Sequence, residues 1–197
     1  MKKINKKLFV LGLLTVQMTF SCFQGELYAA SNTENYAGNQ LQQLGVLKGY
    51  EDGSLKLDQN IRRSEVATMM VRIRGYADSD AQGSGLNFTD VASSHWAYKN
   101  IQNAYKLSII QGYPDNSFKP ESNILYQEVV AMMVNTLGYK EDISGEWPNN
   151  YISKAKELGV IPKDSQVSPD KIVTRGEMAL IIWDTLLVKV KDVNLLQ

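Results

Sequence analysis

The chain has 197 residues, of which 44% are hydrophobic, and its 21 basic and 21 acidic residues balance each other. It therefore lacks the excess of positive charge with which proteins bind nucleic acid. With one cysteine and one histidine, it also lacks the residues for a disulfide framework, a thiolate metal site or the usual hydrolases, and we expect no cofactor.

The first 30 residues have the pattern of a secretory signal peptide. Lysines at positions 2, 3, 6 and 7 precede an apolar stretch over about residues 8–23, and small residues follow at 29–31. Cleavage near Ala30 is favoured over retention, because a membrane-spanning helix needs about 20 apolar residues. Lipidation at Cys22 is a less favoured alternative, since no leucine-like residue lies three positions before it. Cleavage removes four lysines and Glu26, which leaves 17 basic and 20 acidic residues and no later run long enough to span a membrane.

The rest of the chain repeats itself. A shift of 63 residues places 44–76 over 107–139 without a gap, with 15 of the 33 positions identical. A fainter third copy keeps Trp147 and Leu158 at the spacing of Trp96 and Leu107. We therefore divide the chain into a signal peptide (1–30), repeat 1 with a truncated front (31–78), repeat 2 (79–140), repeat 3 (141–190) and a tail (191–197).

Each repeat is predicted to be a helix, a loop and a second helix. The second helices carry apolar stripes at helical spacing, and the residues of the three stripes are Val66, Met69, Met70 and Ile73, then Val129, Met132, Met133 and Leu137, then Met178, Ile181, Ile182 and Leu186. A two-helix unit cannot cover such a stripe alone. The fold class is therefore all-α, with three helix-loop-helix repeats forming one pseudo-threefold module.

A glutamate recurs at the start of each second helix, as Glu65, Glu128 and Glu177. Thr174 and Glu177 form a capping box, in which each side chain bonds a backbone amide of the other residue. Paired carboxylates are also the machinery of glycosidases. Capping explains all three glutamates with one cause, so we predict no catalytic residue.

Several motifs occur in a fixed order. Repeat 2 has Phe-Thr-Asp at 88–90, His-Trp-Ala at 95–97, Gly-Tyr-Pro-Asp-Asn at 112–116 and Phe-Lys-Pro at 118–120. The second helix is preceded by Val-Thr-Arg-Gly-Glu at 173–177 in repeat 3 and by Ile-Arg-Arg-Ser-Glu at 61–65 in repeat 1. This ordered set resembles the S-layer homology repeat, and the resemblance covers about residues 34–188.

The resemblance implies a secreted, non-catalytic module at the cell wall or S-layer. Such modules bind an anionic secondary wall polysaccharide, commonly one with a pyruvylated amino sugar, in grooves between repeats. Other surface proteins are a second class of partner. The motif arginine faces the sugar carboxylate, tryptophan and aspartate hold the sugar, and glycines allow close approach; the nominated ligand-binding residues are Arg63, Arg175, Trp96, Trp147, Asp90, Gly49, Gly112 and Tyr126.

The residues themselves support an anionic guest, because an arginine in the first turn of a helix lies beside backbone amides and the positive end of the helix dipole. Tyr126 stands at the arginine position of repeat 2, so we expect unequal grooves. We also expect Arg63→Ala and Arg175→Ala to leave the helices intact.

Other interpretations remain open from the sequence. The two arginines can be solvated surface charges, and Trp96 and Trp147 can be core residues. The whole chain can be a secreted wall-active enzyme with an unrecognised site, or a structural surface protein that self-associates.

Overall fold

The computed structural model describes residues 32–76 and 88–191, and within these ranges the fold is helical, with isolated bridges but no longer strand. The predicted all-α class is confirmed. The predicted signal peptide lies outside the described residues. The helices are α1 (32–43), α2 (Arg63–Ile73), α3 (Tyr98–Lys106), α4 (Tyr126–Thr136), α5 (Asn149–Leu158) and α6 (Arg175–Thr185), with a short 3-10 helix at Lys140–Asp142.

The second helices α2, α4 and α6 begin in the same way. Each follows an extended residue, and the glutamate at the third helical position accepts a hydrogen bond from the backbone amide of that residue. Thr174 completes the capping box, because its hydroxyl accepts a hydrogen bond from the Glu177 amide at 3.2 Å. Arg62 and Leu125 have no side-chain acceptor, so the first two caps have only the glutamate half of the box. The capping role predicted for the three glutamates is confirmed.

A ring of backbone hydrogen bonds joins the three repeats just before these helices. The Ile61 amide donates to the Val173 carbonyl at 3.0 Å, and the Val173 amide donates to the Ile124 carbonyl at 3.2 Å. The Ile124 amide closes the ring on the Ile61 carbonyl at 3.1 Å. All three side chains are fully buried. The predicted pseudo-threefold module is therefore built around one shared centre.

Helix packing also crosses the repeat boundaries. Helix α2 of repeat 1 packs against α3 and α4 of repeat 2, and α4 packs against α5 of repeat 3. Tyr36 on α1 meets Trp183 on α6 edge to face, with ring centroids 5.7 Å apart. Each second helix thus contacts the first helix of another repeat, and no repeat encloses its own core.

The predicted stripes are buried at most positions but not at all of them. The two methionines of α2 and of α4 are buried, as are Met178 and Ile182 of α6. Leu186 is 41% exposed, because α6 ends at Thr185 and the chain then turns away. Ile181 is only half-buried, since it lines a groove described below.

We predict that removing repeat 3 destabilises the other two repeats. A chain of residues 31–140 loses Val173 from the central ring and α5 from the surface of α4. Its melting midpoint should fall by more than about 10 °C, or its cooperative transition should disappear. The measurement is thermal melting followed by circular dichroism; a fragment that melts like the whole chain would contradict the shared core.

Candidate functional site

The first backbone amides of each second helix donate hydrogen bonds to carbonyls of a neighbouring repeat. The amides of Arg63 and Ser64 donate to carbonyls of residues 122 and 120, both at 3.0 Å. The amides of Arg175 and Gly176 donate to carbonyls of residues 59 and 57, both at 2.8 Å. The expectation that first-turn amides help to bind an anion is therefore wrong, because protein carbonyls already occupy them.

Arg63 is buried at the interface between repeats 1 and 2, with 6% of its surface exposed. Its Nη1 lies 2.9 Å from Glu128 Oε1, and its Nε donates to the Phe118 carbonyl at 2.9 Å. The guanidinium lies over the ring of Tyr113, 4.8 Å from the centroid. Arg63 is thus held by repeat 2 and is not a solvated surface charge.

Arg175 has the equivalent environment between repeats 3 and 1 and is 3% exposed. Its Nη1 donates to Glu65 Oε1 at 2.7 Å, and its Nε donates to the Leu55 carbonyl at 2.7 Å. Nη2 donates to the Lys48 carbonyl at 3.0 Å, and the guanidinium lies 4.9 Å from the centroid of Tyr50. The matched surroundings follow from the 63-residue repeat, because Glu65, Tyr50 and Leu55 correspond to Glu128, Tyr113 and Phe118.

Tyr113 completes the second of these clusters. Its hydroxyl donates to Glu128 Oε1 at 2.6 Å, the oxygen that also contacts Arg63. Burial, followed by this hydrogen bond to the carboxylate, raises the pKa of Tyr113 to about 12. The phenol therefore stays a hydrogen-bond donor at neutral pH and helps to fix the glutamate.

Trp96 and Trp147 lie beside these clusters and are 58% and 50% exposed. The alternative that they are core residues is therefore wrong. Each tryptophan lines a groove that receives residues from all three repeats. Groove A contains Arg175, Glu65, Tyr50 and Trp96, and groove B contains Arg63, Glu128, Tyr113 and Trp147.

The third equivalent position, groove C, differs in its chemistry. Tyr126 replaces the arginine and is 7% exposed, and Lys171 forms an ion pair with the groove glutamate, Glu177. Burial raises the pKa of the Tyr126 hydroxyl, which is hydrogen-bonded to Ser165. The position of the groove tryptophan falls on Thr33 in repeat 1. The cavities in grooves A, B and C have volumes of about 320, 510 and 450 Å³. All three lie in the range of roughly 300–1,000 Å³ for small-molecule sites. The grooves are therefore distinguished by their lining residues and not by their size.

The remaining nominated residues shape the loops around the grooves. Asp90 accepts hydrogen bonds from the amides of Phe118 and Lys119 at 2.8 and 2.7 Å, so its carboxylate ties the front of repeat 2 to its loop. Gly112 has φ +81°, and a Cβ there would lie 2.9 Å from the Ser117 carbonyl oxygen. A Cβ on Gly49 would lie 3.1 Å from the corresponding oxygen of Ser54. The turns themselves explain both glycines without a ligand.

His95 has the local role that its position at a helix start suggests. Its Nδ1 accepts from the Ala97 amide at 3.1 Å, and its Nε2 lies 2.8 Å from Glu121 Oε1. Its ring packs beside Trp96 with centroids 5.8 Å apart. Within residues 32–76 and 88–191, no group of three potential metal ligands occurs, and no helix is long and apolar enough to cross a bilayer.

Comparison with known proteins agrees with this architecture. A model of the S-layer homology domain matches residues 87–130 and 141–179. The chain belongs to the S-layer homology domain family. Repeat 1, which lies outside the matched residues, carries the same Gly-Tyr turn and groove glutamate as repeat 2.

Similar proteins include three from bacterial surfaces. The "Middle cell wall protein" of Brevibacillus brevis is 36% identical over 154 residues, 78% of this chain and 14% of that protein. The "Surface layer protein" of Brevibacillus choshinensis is 40% identical over 123 residues, 61% of this chain and 11% of that protein. The "Cell surface protein" of Thermoanaerobacter kivui is 32% identical over 145 residues, 73% of this chain and 18% of that protein. The chain thus corresponds to less than a fifth of the length of each relative.

Sequence reasoning missed the partners of the arginines. Glu65 and Glu128 were explained by capping alone, yet each also binds an arginine from another repeat. From the sequence, Tyr50 and Tyr113 were given no role in the site, yet each lies under a guanidinium. The 63-residue shift places Glu65 over Glu128 and Tyr50 over Tyr113. These two identities were the signal in the sequence that could have pointed to a shared role.

We predict that Arg63→Ala destabilises the module strongly, contrary to the sequence-based expectation. Removing one partner of a buried ion pair leaves the other charge without compensation and costs about 3–5 kcal/mol. The neighbouring Arg62 is a matched control, because its pair with Glu121 is half-exposed, and Arg62→Ala should cost about 1 kcal/mol or less. Urea denaturation measures both changes, and equal effects of the two variants would refute the structural role of Arg63.

Proposed function

We propose that this chain anchors to the cell surface by binding an anionic polysaccharide of the cell wall, with a pyruvylated amino sugar as the recognised unit. The observation that carries the proposal is the composition of grooves A and B. Each combines a fixed arginine with a tryptophan whose face is half-exposed. The family membership and the surface proteins among the relatives support the same function.

The arginines have donors to spare for a carboxylate. A guanidinium has five N–H donors. Protein acceptors engage two of them in Arg63 and three in Arg175, through the contacts described above. The protein contacts fix the plane of each guanidinium, so the remaining donors have one direction and lose little entropy on binding.

The tryptophans supply the second part of recognition. An aromatic face can cover the apolar face of a sugar ring while its polar substituents bond elsewhere. Trp96 and Trp147 come from repeats other than those that supply the arginine and the glutamate of their groove. A sugar bound in either groove would therefore contact the junction of all three repeats, which links binding to the intact module.

The same contacts favour binding over catalysis. Glu65 and Glu128 each accept from a cap amide and form an ion pair with an arginine. Both oxygens of each carboxylate are therefore engaged by the protein, whereas a general acid must present an oxygen to the substrate. We therefore propose no catalytic role for either glutamate.

We expect Trp96→Ala and Trp147→Ala each to weaken binding to purified wall sacculi about tenfold, since aromatic residues that anchor an interface cost more than about 1 kcal/mol on truncation. Both side chains are largely exposed, so the melting temperature should change little. Leu44→Ala is the matched control, because Leu44 is 61% exposed and lies outside the three grooves. If the double tryptophan variant sediments with sacculi as the parent does, the grooves are not the binding sites.

Removing the pyruvyl group from the wall polymer should weaken binding about 10- to 150-fold, because a hydrogen bond to a charged group contributes roughly 1.5–3 kcal/mol. The measurement is co-sedimentation with sacculi before and after depyruvylation, and after extraction of all polymers other than peptidoglycan. Tyr126→Phe should change neither result, since groove C lacks the arginine. Equal binding to native and depyruvylated sacculi would exclude the carboxylate as the recognised group.

A further inference from the structure

Each groove is lined by the equivalent face of a second helix, and the three faces differ in charge at one position. With the groove glutamate counted as the first residue, each groove is lined by the first, fourth, fifth and eighth residues. These positions lie on one side of a helix. The fourth residue is Thr68, Ala131 or Leu180, and the eighth is Arg72, Asn135 or Asp184 in grooves A, B and C. The eighth position therefore changes from cation to neutral to anion.

The charge of the whole lining follows the same order. Groove A has the cations Lys48, Arg72 and Arg175 against one carboxylate, Glu65. Groove B has one arginine and one glutamate. Groove C has one cation, Lys171, against three carboxylates, Asp164, Glu177 and Asp184. Counted over these lining residues, the charge thus becomes more negative from groove A to groove C.

The side chains at the eighth position of grooves A and B are held in equivalent places. Arg72 Nη1 donates to the Val46 carbonyl, and Asn135 Nδ2 donates to the Ile109 carbonyl, both at 3.1 Å. Val46 and Ile109 correspond under the 63-residue shift, so the same hydrogen bond helps to position Arg72 and Asn135. Asp184 has no donor with which to make this bond.

We propose that the residue seven positions after the groove glutamate sets the preference of each groove for an anionic sugar. Arg72 makes groove A the tight site, Asn135 makes groove B the weaker site, and Asp184 helps to exclude the anion from groove C. Arg72 acts as a second cation beside Arg175 and is a specificity-determining residue. This inference rests on the proposed function and adds a ranking of the grooves to it.

The test exchanges Arg72 and Asn135, which occupy equivalent positions in grooves A and B. The probe is a synthetic methyl glycoside of a pyruvylated N-acetylhexosamine, titrated by calorimetry into the full chain, with the pyruvate-free glycoside as a reference. Arg72→Asn should weaken the tight site about two- to fivefold, as expected for an ion pair open to solvent. Asn135→Arg should tighten the weak site by a similar factor, and Arg72→Lys should keep most of the affinity.

Arg74→Asn is the matched control for charge and stability. Arg74 follows α2, is half-buried like Arg72 and donates to one carbonyl, that of Thr136 at 2.7 Å, but it lines none of the three grooves. It should bind as the parent does, and only the Arg72 and Asn135 variants should change how affinity depends on salt.

The outcomes separate the two proposals. If the parent binds the pyruvylated glycoside and Arg72→Asn matches Arg74→Asn, the ranking of the grooves is wrong while the proposed function stands. If the parent binds both glycosides equally or neither of them, the recognised group is wrong and both proposals fail. A tight site weakened in Arg72→Asn and a weak site tightened in Asn135→Arg, with Arg74→Asn unchanged, would establish the ranking.

Discussion

The ring of backbone hydrogen bonds among Ile61, Ile124 and Val173 decides where every other part of the module lies. A backbone amide buried without a partner costs free energy comparable to a lost hydrogen bond. Each of these three amides finds its acceptor only in a different repeat. The three segments before α2, α4 and α6 must therefore meet at one centre, and the helices that follow them radiate from it with their first turns against a neighbouring repeat.

This arrangement explains why the grooves are composite. Once a helix start is placed against the next repeat, its first side chain points into that repeat and meets the glutamate and the tyrosine there. Arg63 and Arg175 are consequently structural residues, and the contacts that bury them also orient the donors that the proposed function assigns to the ligand. In each groove the exposed tryptophan comes from the repeat that supplies neither the arginine nor the glutamate. A groove that needs three repeats cannot form in one of them alone.

The symmetry is approximate, and its departures change the chemistry of the grooves. Repeats 1 and 2 are related by an unbroken 63-residue shift and give grooves A and B the same framework. Repeat 3 lacks the Gly-Tyr turn, and Tyr126 of repeat 2 faces it in place of an arginine. Groove C keeps its volume but has apolar and acidic walls. A repeated scaffold can thus hold its fold constant while single positions such as 72, 135 and 184 vary in charge.

The sequence by itself determined the helical class, the number of repeats, the stripe residues and the glutamate caps, because these depend on spacing within one repeat. It also pointed to Arg63, Arg175, Trp96 and Trp147 through their family motifs. Only the tertiary structure decided that the arginines are buried, that carbonyls fill the first-turn amides and that Asp90 serves a loop. It alone also placed Arg72 in a groove. The reason is physical: each of these contacts joins residues from different repeats, and local periodicity has no information on which repeat a side chain will face.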